Sequence, residues 1–166
     1  MLGFAIGAPF ALSGCGWEPL YADAQTGPAD AELRAIQVET IPERIGQRLA
    51  LALRQALNPE GIQTKKLYSL RTILSVARAD TGIQSQGLGT RGRLDVSATF
   101  TLSDLRTNTL LLNNTTHVAD SFDIASSGYA SVVAEDDARI RAVEELKRDM
   151  VTKLTLFLQR RSTGAA

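Results

Sequence analysis

RLDVSATFTL, residues 93 to 102, is the stretch on which the fold turns. Leu94, Val96, Ala98, Phe100 and Leu102 alternate with Arg93, Asp95, Ser97, Thr99 and Thr101, so a strand here buries one face and wets the other. Such alternation belongs to an antiparallel sheet covered on a single side. Toward the N-terminus, Leu70, Thr72, Leu74 and Val76 share one face of another long strand that ends near Asp80, with Arg71, Ser75 and Ala77 on the other. Toward the C-terminus, DLRTNT (Asp104–Thr109) reads as a turn and residues 109–122 return as a further strand. These three strands form a meander.

The apolar face needs a cover, and two helical patterns supply one. Ile45, Leu49, Leu53, Ala56 and Leu57 recur at helical spacing before the stop Asn58-Pro59-Glu60-Gly61. Thr40-Ile41-Pro42-Glu43 ahead of them reads as a capping box, Thr40 accepting from the Glu43 amide. Residues 131–160 predict a much longer helix with Val133, Ile140, Val143, Leu146, Met150, Leu154 and Phe157 on its stripe. Glu135, Asp136 and Asp137 near its start and Arg160 and Arg161 at its end match the helix dipole. Glu135/Arg139, Asp137/Arg141 and Glu144/Arg148 are spaced for ion pairs along its outer side. Upstream, Glu32 to Ile41 places Ile36 and Val38 in alternation as a first strand. The order β-α-β-β-β-α predicts an α+β fold, a two-layer sandwich with two helices packed on one face of a four-stranded mixed sheet. This domain spans residues 32–161, with 162–166 as a disordered tail. Its second sheet face, rich in Ser, Thr and Arg, is left uncovered and suits docking inside a polar-lined cavity.

Composition agrees with one globular domain: 166 residues, 44% hydrophobic and 22% charged. Eighteen basic residues balance eighteen acidic ones, which removes the electrostatic case for a nucleic-acid partner. A single cysteine and a single histidine exclude an internal disulfide and a Cys/His metal site, and no cofactor motif is present. Residues 1–14 (MLGFAIGAPFALSG) carry no charge and are too few to cross a bilayer, which takes about 20 apolar residues. They read as the hydrophobic region of a signal peptide. Leu12, Ser13 and Gly14 ahead of Cys15 resemble a bacterial lipobox, which implies acylation of Cys15 as the first mature residue. Residues 15–31 are then the lipidated N-terminus and its tether. Lipoproteins retained in the inner membrane commonly carry Asp after that cysteine; Gly16 stands here, which implies the outer membrane.

Catalytic patterns do not hold up. Gly87-Leu88-Gly89-Thr90-Arg91-Gly92 is a literal GxGxxG, but a strand follows it where a nucleotide site needs a helix N-terminus. His117 and Ser121 lie four strand positions apart, about 13 Å, beyond hydrogen-bond reach. Glu135, Asp136 and Asp137 point in different directions from consecutive helical positions. The chain reads as a binding protein and not as an enzyme.

GCGWEPLY (Gly14–Tyr21), the helix after strand one, the long hairpin strands and ASVVAEDDARIRAVEELKRDM (Ala130–Met150) resemble the lipopolysaccharide-assembly lipoprotein family LptE in its alphaproteobacterial form. The resemblance covers nearly all of the chain after Cys15, and its two ends are the distinctive parts. It implies a non-enzymatic partner of the outer-membrane barrel LptD. Such a protein is lipid-anchored and periplasm-facing, plugs the barrel lumen and helps lipopolysaccharide reach the cell surface. Arg71, Arg78, Arg91 and Arg93, on and around the 81–93 loop, have only Asp80 as a neighbouring acid in this reading, and guanidinium forks match phosphates, so they are the candidate lipopolysaccharide contacts. A second class stays open: an outer-membrane lipoprotein that binds a periplasmic partner or cell-wall polymer. Co-purification with a large barrel favours the first, capture of peptidoglycan the second.

Overall fold

The computed structural model describes residues 28–83 and 89–164. Its elements run α1 (Pro28–Arg34), β1 (Ile36–Val38), α2 (Arg44–Leu57), β2 (Tyr68–Ile83), β3 (Gly89–Asp104), β4 (Leu110–Asp123) and α3 (Gly128–Ser162). The sheet order is β1-β2-β3-β4, with β1 parallel to β2 and the other pairs antiparallel. A parallel neighbour requires a crossover, and α2 provides it. The sheet is therefore mixed, and the helices pack on it as the sequence predicts.

The alternation of β3 decides the layering. Leu94, Val96, Ala98, Phe100 and Leu102 are all fully buried between the sheet and the helices, while Arg93 and Thr99 stand in solvent. From the helix side Leu49 and Leu53 of α2 and Leu146, Met150, Leu154 and Leu158 of α3 fill the same core. At roughly 1.5–3 kcal/mol for each large buried side chain, this single layer of contact supplies most of the driving force for folding. The helices are also tied to each other and to the sheet by polar links. Arg48 of α2 grips the Asp136 carboxylate of α3 with both terminal nitrogens, at 2.9 and 3.1 Å. Arg141 of α3 reaches Asp120 of β4 at 2.8 Å, and the Thr116 hydroxyl of β4 donates to Asp149 at 2.8 Å.

Four details depart from the sequence reading. First, the strand starts at Ile36 and not at Glu32: Pro28–Arg34 is helix, with acidic Asp30 in its first turn and Arg34 in its last, the charge order that a helix dipole favours. Second, no capping box forms. Glu43 precedes α2 at φ 65° with no side-chain cap, because Ile41, 1% exposed, folds back against Gly46. A Cβ on Gly46 would lie 2.6 Å from Ile41 Cγ2, so the close approach depends on glycine. Glu43, at φ 65° and ψ 162°, lies in a region that otherwise belongs to glycine and costs about 1–3 kcal/mol, offset by burying Ile41. Third, the buried faces shift. Val133 and Ile140 of α3 are 42% and 44% exposed while Ala138 and Ala142 take the core positions, and in α2 Ala50 is buried where Ala56 is exposed. Fourth, of the expected ion pairs on α3 only Glu135/Arg139 forms; Arg141 turns to Asp120, and Glu144 pairs with Lys147.

Candidate functional site

With both long helices on one face, the opposite face of the sheet is open. Odd-numbered residues of β2, β3 and β4 supply it, and hydroxyls dominate: Ser69, Ser75, Ser97, Thr99, Thr115 and Ser121 are among them, and Thr99 and Thr115 bond each other across the strands at 3.1 Å. A sheet face of this chemistry is wetted at little cost. Ile73, 67% exposed, is a large apolar side chain on it.

Charged side chains mark the two ends of this face. At the proximal end, Glu39 accepts from the Ser69 hydroxyl at 2.7 Å and from Arg71 Nε at 2.9 Å. The Ser69 bond, followed by the Arg71 bond, holds the Glu39 carboxyl below the usual carboxylate range. Thr101, Ser103 and Asp104 join these three around a shallow polar cavity of about 240 Å³. Asp104 accepts from the backbone amides of Arg106 and Thr107, at 2.7 and 3.3 Å, closing the turn that returns to β4. Those amides, Arg106 first, hold its carboxyl low as well. The turn passes through Asn108 at φ 53°, a conformation asparagine tolerates.

Further along the face, Arg93 forks onto Asp95, its Nε lying 2.9 Å from one carboxylate oxygen, and His117 Nε2 stands 3.5 Å from the other. The Arg93 bond depresses the Asp95 carboxyl. Beyond them Arg91 faces its register partner Asp123 at 3.8 Å. On the reverse, covered face, Gly92 lies under the ring of Phe122, its own register partner. The Arg78 guanidinium sits 5.4 Å from the centre of that ring, bonds Asp80 at 3.0 Å and reaches Glu135 of α3 at 2.6 Å.

The four candidate arginines therefore do not form one cluster. Arg71 pairs with Thr101 in register and Arg91 with Thr81, ten positions further along β2, which is about 33 Å of strand. Arg78 projects to the helix side. Arg91 and Arg93 alone share a face and an end. The expectation that these arginines lack acids is also corrected, since each has a carboxylate: Glu39, Asp80 with Glu135, Asp123 and Asp95 in turn. Two of those acids, Asp80 and Asp95, stand two residues from their arginine on the same strand face, so alternation alone pairs them. The other three are 32 to 57 residues away and become neighbours only through the topology. The expected loop at 81–93 is mostly hairpin strand, because β2 runs to Ile83 and β3 begins at Gly89. Gly87 and Leu88 of the glycine motif, like Cys15 and the whole of residues 1–27, lie outside the described residues. The part of the motif that is described is strand, and no helix follows it.

Among the described residues the one serine of this face bonded to a carboxylate, Ser69, donates to a Glu39 whose other oxygen is held by Arg71, and its lowered pKa makes Glu39 a poor base. Ser97 is the register partner of His117, which in turn neighbours Asp95, yet among the described residues no hydrogen bond joins Ser97 to His117. The chemistry this face offers is hydrogen bonding and ion pairing. No described helix is long and apolar enough to cross a membrane.

Comparison with known proteins is consistent with this picture. The family model LptE, described as lipopolysaccharide-assembly, matches residues 33–154. No curated protein matches at a significant level. Among solved structures, a candidate lipoprotein from Caulobacter crescentus CB15 superposes with a TM-score of 0.65 at 23% identity, over 79% of this chain and 96% of that one. A minor lipoprotein from Acinetobacter baumannii gives a TM-score of 0.52 at 16% identity, over 73% of this chain and 91% of that one. At these identities both establish the shared fold.

Proposed function

The chain belongs to the LptE family of lipopolysaccharide-assembly proteins, and on that premise we propose that it is an acylated, non-enzymatic outer-membrane lipoprotein that seats in the lumen of the barrel LptD and helps deliver lipopolysaccharide to the cell surface. In this reading residues 1–14 are removed as a signal peptide, Cys15 carries the acyl chains and the segment from Cys15 to the start of α1 at Pro28 tethers the domain. Acyl chains contribute about 0.8 kcal/mol per buried methylene, so two or more hold the domain at the membrane without a spanning helix.

The observation that carries the reading is the open sheet face. A monomer standing in water would lose little by leaving it bare, yet it is broad, polar and studded with hydroxyls at strand spacing. That is the complement of a barrel lumen, which is itself polar and lined by alternate strand residues. Lipopolysaccharide carries phosphates, and Arg91 and Arg93 meet the requirement for a fork on one face at one end. The Arg91–Asp123 contact is long and exposed, so an incoming phosphate displaces little. Arg93 is held by Asp95 as firmly as Arg71 is by Glu39, so its rank rests on sharing an end of the face with Arg91; Arg71 at the far end and Arg78 on the other face are second in line.

Detergent extraction of outer membranes followed by affinity capture of the full chain tests the proposal. A barrel protein recovered at equal stoichiometry supports it. Recovery of peptidoglycan or a soluble periplasmic protein in place of a barrel refutes it. Cys15→Ala in the same strain releases the chain from the membrane fraction if the anchor is as stated; retention of that variant, or an unmodified Cys15 in the unaltered chain, removes the lipid from the account.

A further inference from the structure

The short strand β1 is the edge of the sheet, and its outer side is a groove. The Glu39 amide donates to the Leu70 carbonyl of β2, so odd residues of this segment turn their backbone groups inward. By alternation Ile36 and Val38 turn theirs outward, away from β2. Among the described residues the Val38 carbonyl is met there by Arg54 of α2 at 3.2 Å, and no strand meets the edge. Ile36, Val38, Leu57, Asn58, Arg54 and Lys66 line a cavity of about 240 Å³ between this edge and the C-terminal end of α2. That is below the size of a drug-like ligand pocket and suits side chains of an extended peptide laid along a strand edge beside a helix. Its rim is basic. Arg54 and Lys66 both spend their hydrogen bonds on backbone carbonyls, of Val38 and Arg34, and among the described residues neither is in an ion pair.

We propose that residues 16–27 of this same chain (GWEPLYADAQTG) dock in that groove, along the free edge of β1. Two observations favour this occupant. The segment ends where α1 begins, and α1 is seven residues, about 10 Å, ahead of Ala35 and the start of β1. Twelve residues reach up to about 40 Å, so the groove is well within range, and a short covalent link gives an effective concentration in the millimolar range. Its charge is complementary, because Glu18 and Asp23 are its only charged residues and the groove's are cationic. Docking would also blunt an exposed strand edge, which is otherwise open to pairing with other chains. If Cys15 is acylated as proposed above, a docked segment holds the domain close to the membrane instead of on a long leash. The docking itself does not depend on that.

The test places a photoreactive benzoylphenylalanine at Leu20 of the full chain, held in detergent micelles, and maps the adducts by mass spectrometry. The main product is expected within one chain, on the peptides carrying Ile36–Val38 or Leu57–Asn58. Combining Arg54→Glu with Lys66→Glu lowers its yield at least fivefold, and adding Glu18→Arg with Asp23→Arg restores it. Lys66→Glu alone, which leaves the Arg54 bond to β1 intact, lowers the yield about twofold. Adducts elsewhere on the chain, adducts between two copies, adducts to a different protein, or a yield indifferent to charge each overturn the proposal. If the double reversal does not fold, the adduct map of the unmodified groove still decides.

Discussion

Gly92→Ala adds a single methyl group and yet strikes a part of the structure that has no room for it. An ideal Cβ at Gly92 would fall 2.3, 2.6 and 2.7 Å from three ring carbons of Phe122. Contacts that short are not tolerated, so either the ring leaves its rotamer or β3 and β4 separate locally. Phe122 is 5% exposed and lies beneath the Arg78 guanidinium, which is itself held by Asp80 and Glu135, so the ring cannot slide without breaking that stack. Overpacking of this kind costs about 1–3 kcal/mol. Loss of the cation–π contact adds about 0.5–1 kcal/mol at a partly exposed site. Against this, alanine restricts the unfolded chain and returns about 0.4–1 kcal/mol. The net expectation is a destabilisation of about 1–3 kcal/mol, or a fall in Tm of roughly 3–9 °C for a domain of this size. Urea denaturation of the full chain measures it, and a second variant makes the measurement specific. Phe122→Leu removes the ring that Gly92 accommodates, so Gly92→Ala in that background is nearly neutral and the two changes are strongly non-additive. A neutral or stabilising Gly92→Ala, or simple additivity with Phe122→Leu, would refute the register that brings these residues together.

Three further outcomes follow from the same packing and charge arguments. Leu146→Asp places an unpaired charge in a fully buried position and costs several kcal/mol, whereas Ile140→Asp, at a position 44% exposed, changes stability by about 0.5–1 kcal/mol; equal losses in a urea titration would restore the sequence-based stripe. Glu39, Asp95, Asp104 and Asp136 have carboxyls held below their unfolded values, so the stability they contribute is present above about pH 4 and is lost as pH falls through the lowered folded values. Thermal melts from pH 6 to pH 2 should decline across that window, and Asp104→Asn, which cannot ionise, should flatten the decline; an unchanged profile contradicts the assignment. Arg91→Gln with Arg93→Gln weakens lipopolysaccharide binding by the full chain at least tenfold, at about 1.5–3 kcal/mol for each charged hydrogen bond lost, with an unaltered melt as the folding control; undiminished affinity removes this end of the face from the contact.

Much of this fold is written in local pattern, and the failures share one cause. The alternation from Arg93 to Leu102 predicts burial residue by residue because a strand between one wet and one dry layer leaves no other choice. The helical stripe of α3 is legible at Val143, Leu146, Met150 and Leu154, all of them buried, while at its end the expected Phe157 is only partly buried and Leu158 takes the core position. It fails at Val133 and Ile140 because hydrophobic identity, not neighbourhood, selected them; small Ala138 and Ala142 let the helix approach closely, a choice that pattern matching toward large residues misses. The positive φ of Glu43 is a tertiary effect, set by Ile41 seeking the surface of Gly46. The candidate arginines were legible as residues but not as a site. Arg71 lies about 33 Å from Arg91, and Arg78 belongs to the other face, which only register and strand parity reveal. Arg93 with Asp95 is the exception, a pair readable from i,i+2 spacing on a strand.

The central claim is that the open sheet face, and not the helical side, meets the barrel. A photoreactive side chain at Thr99, in the middle of that face, and another at Leu51, 65% exposed on α2, compare the two sides within intact outer membranes. The account predicts that Thr99 yields a dominant adduct with an outer-membrane barrel protein and that Leu51 yields at least tenfold less of it. A barrel adduct of equal strength from Leu51, or none from Thr99, would contradict it.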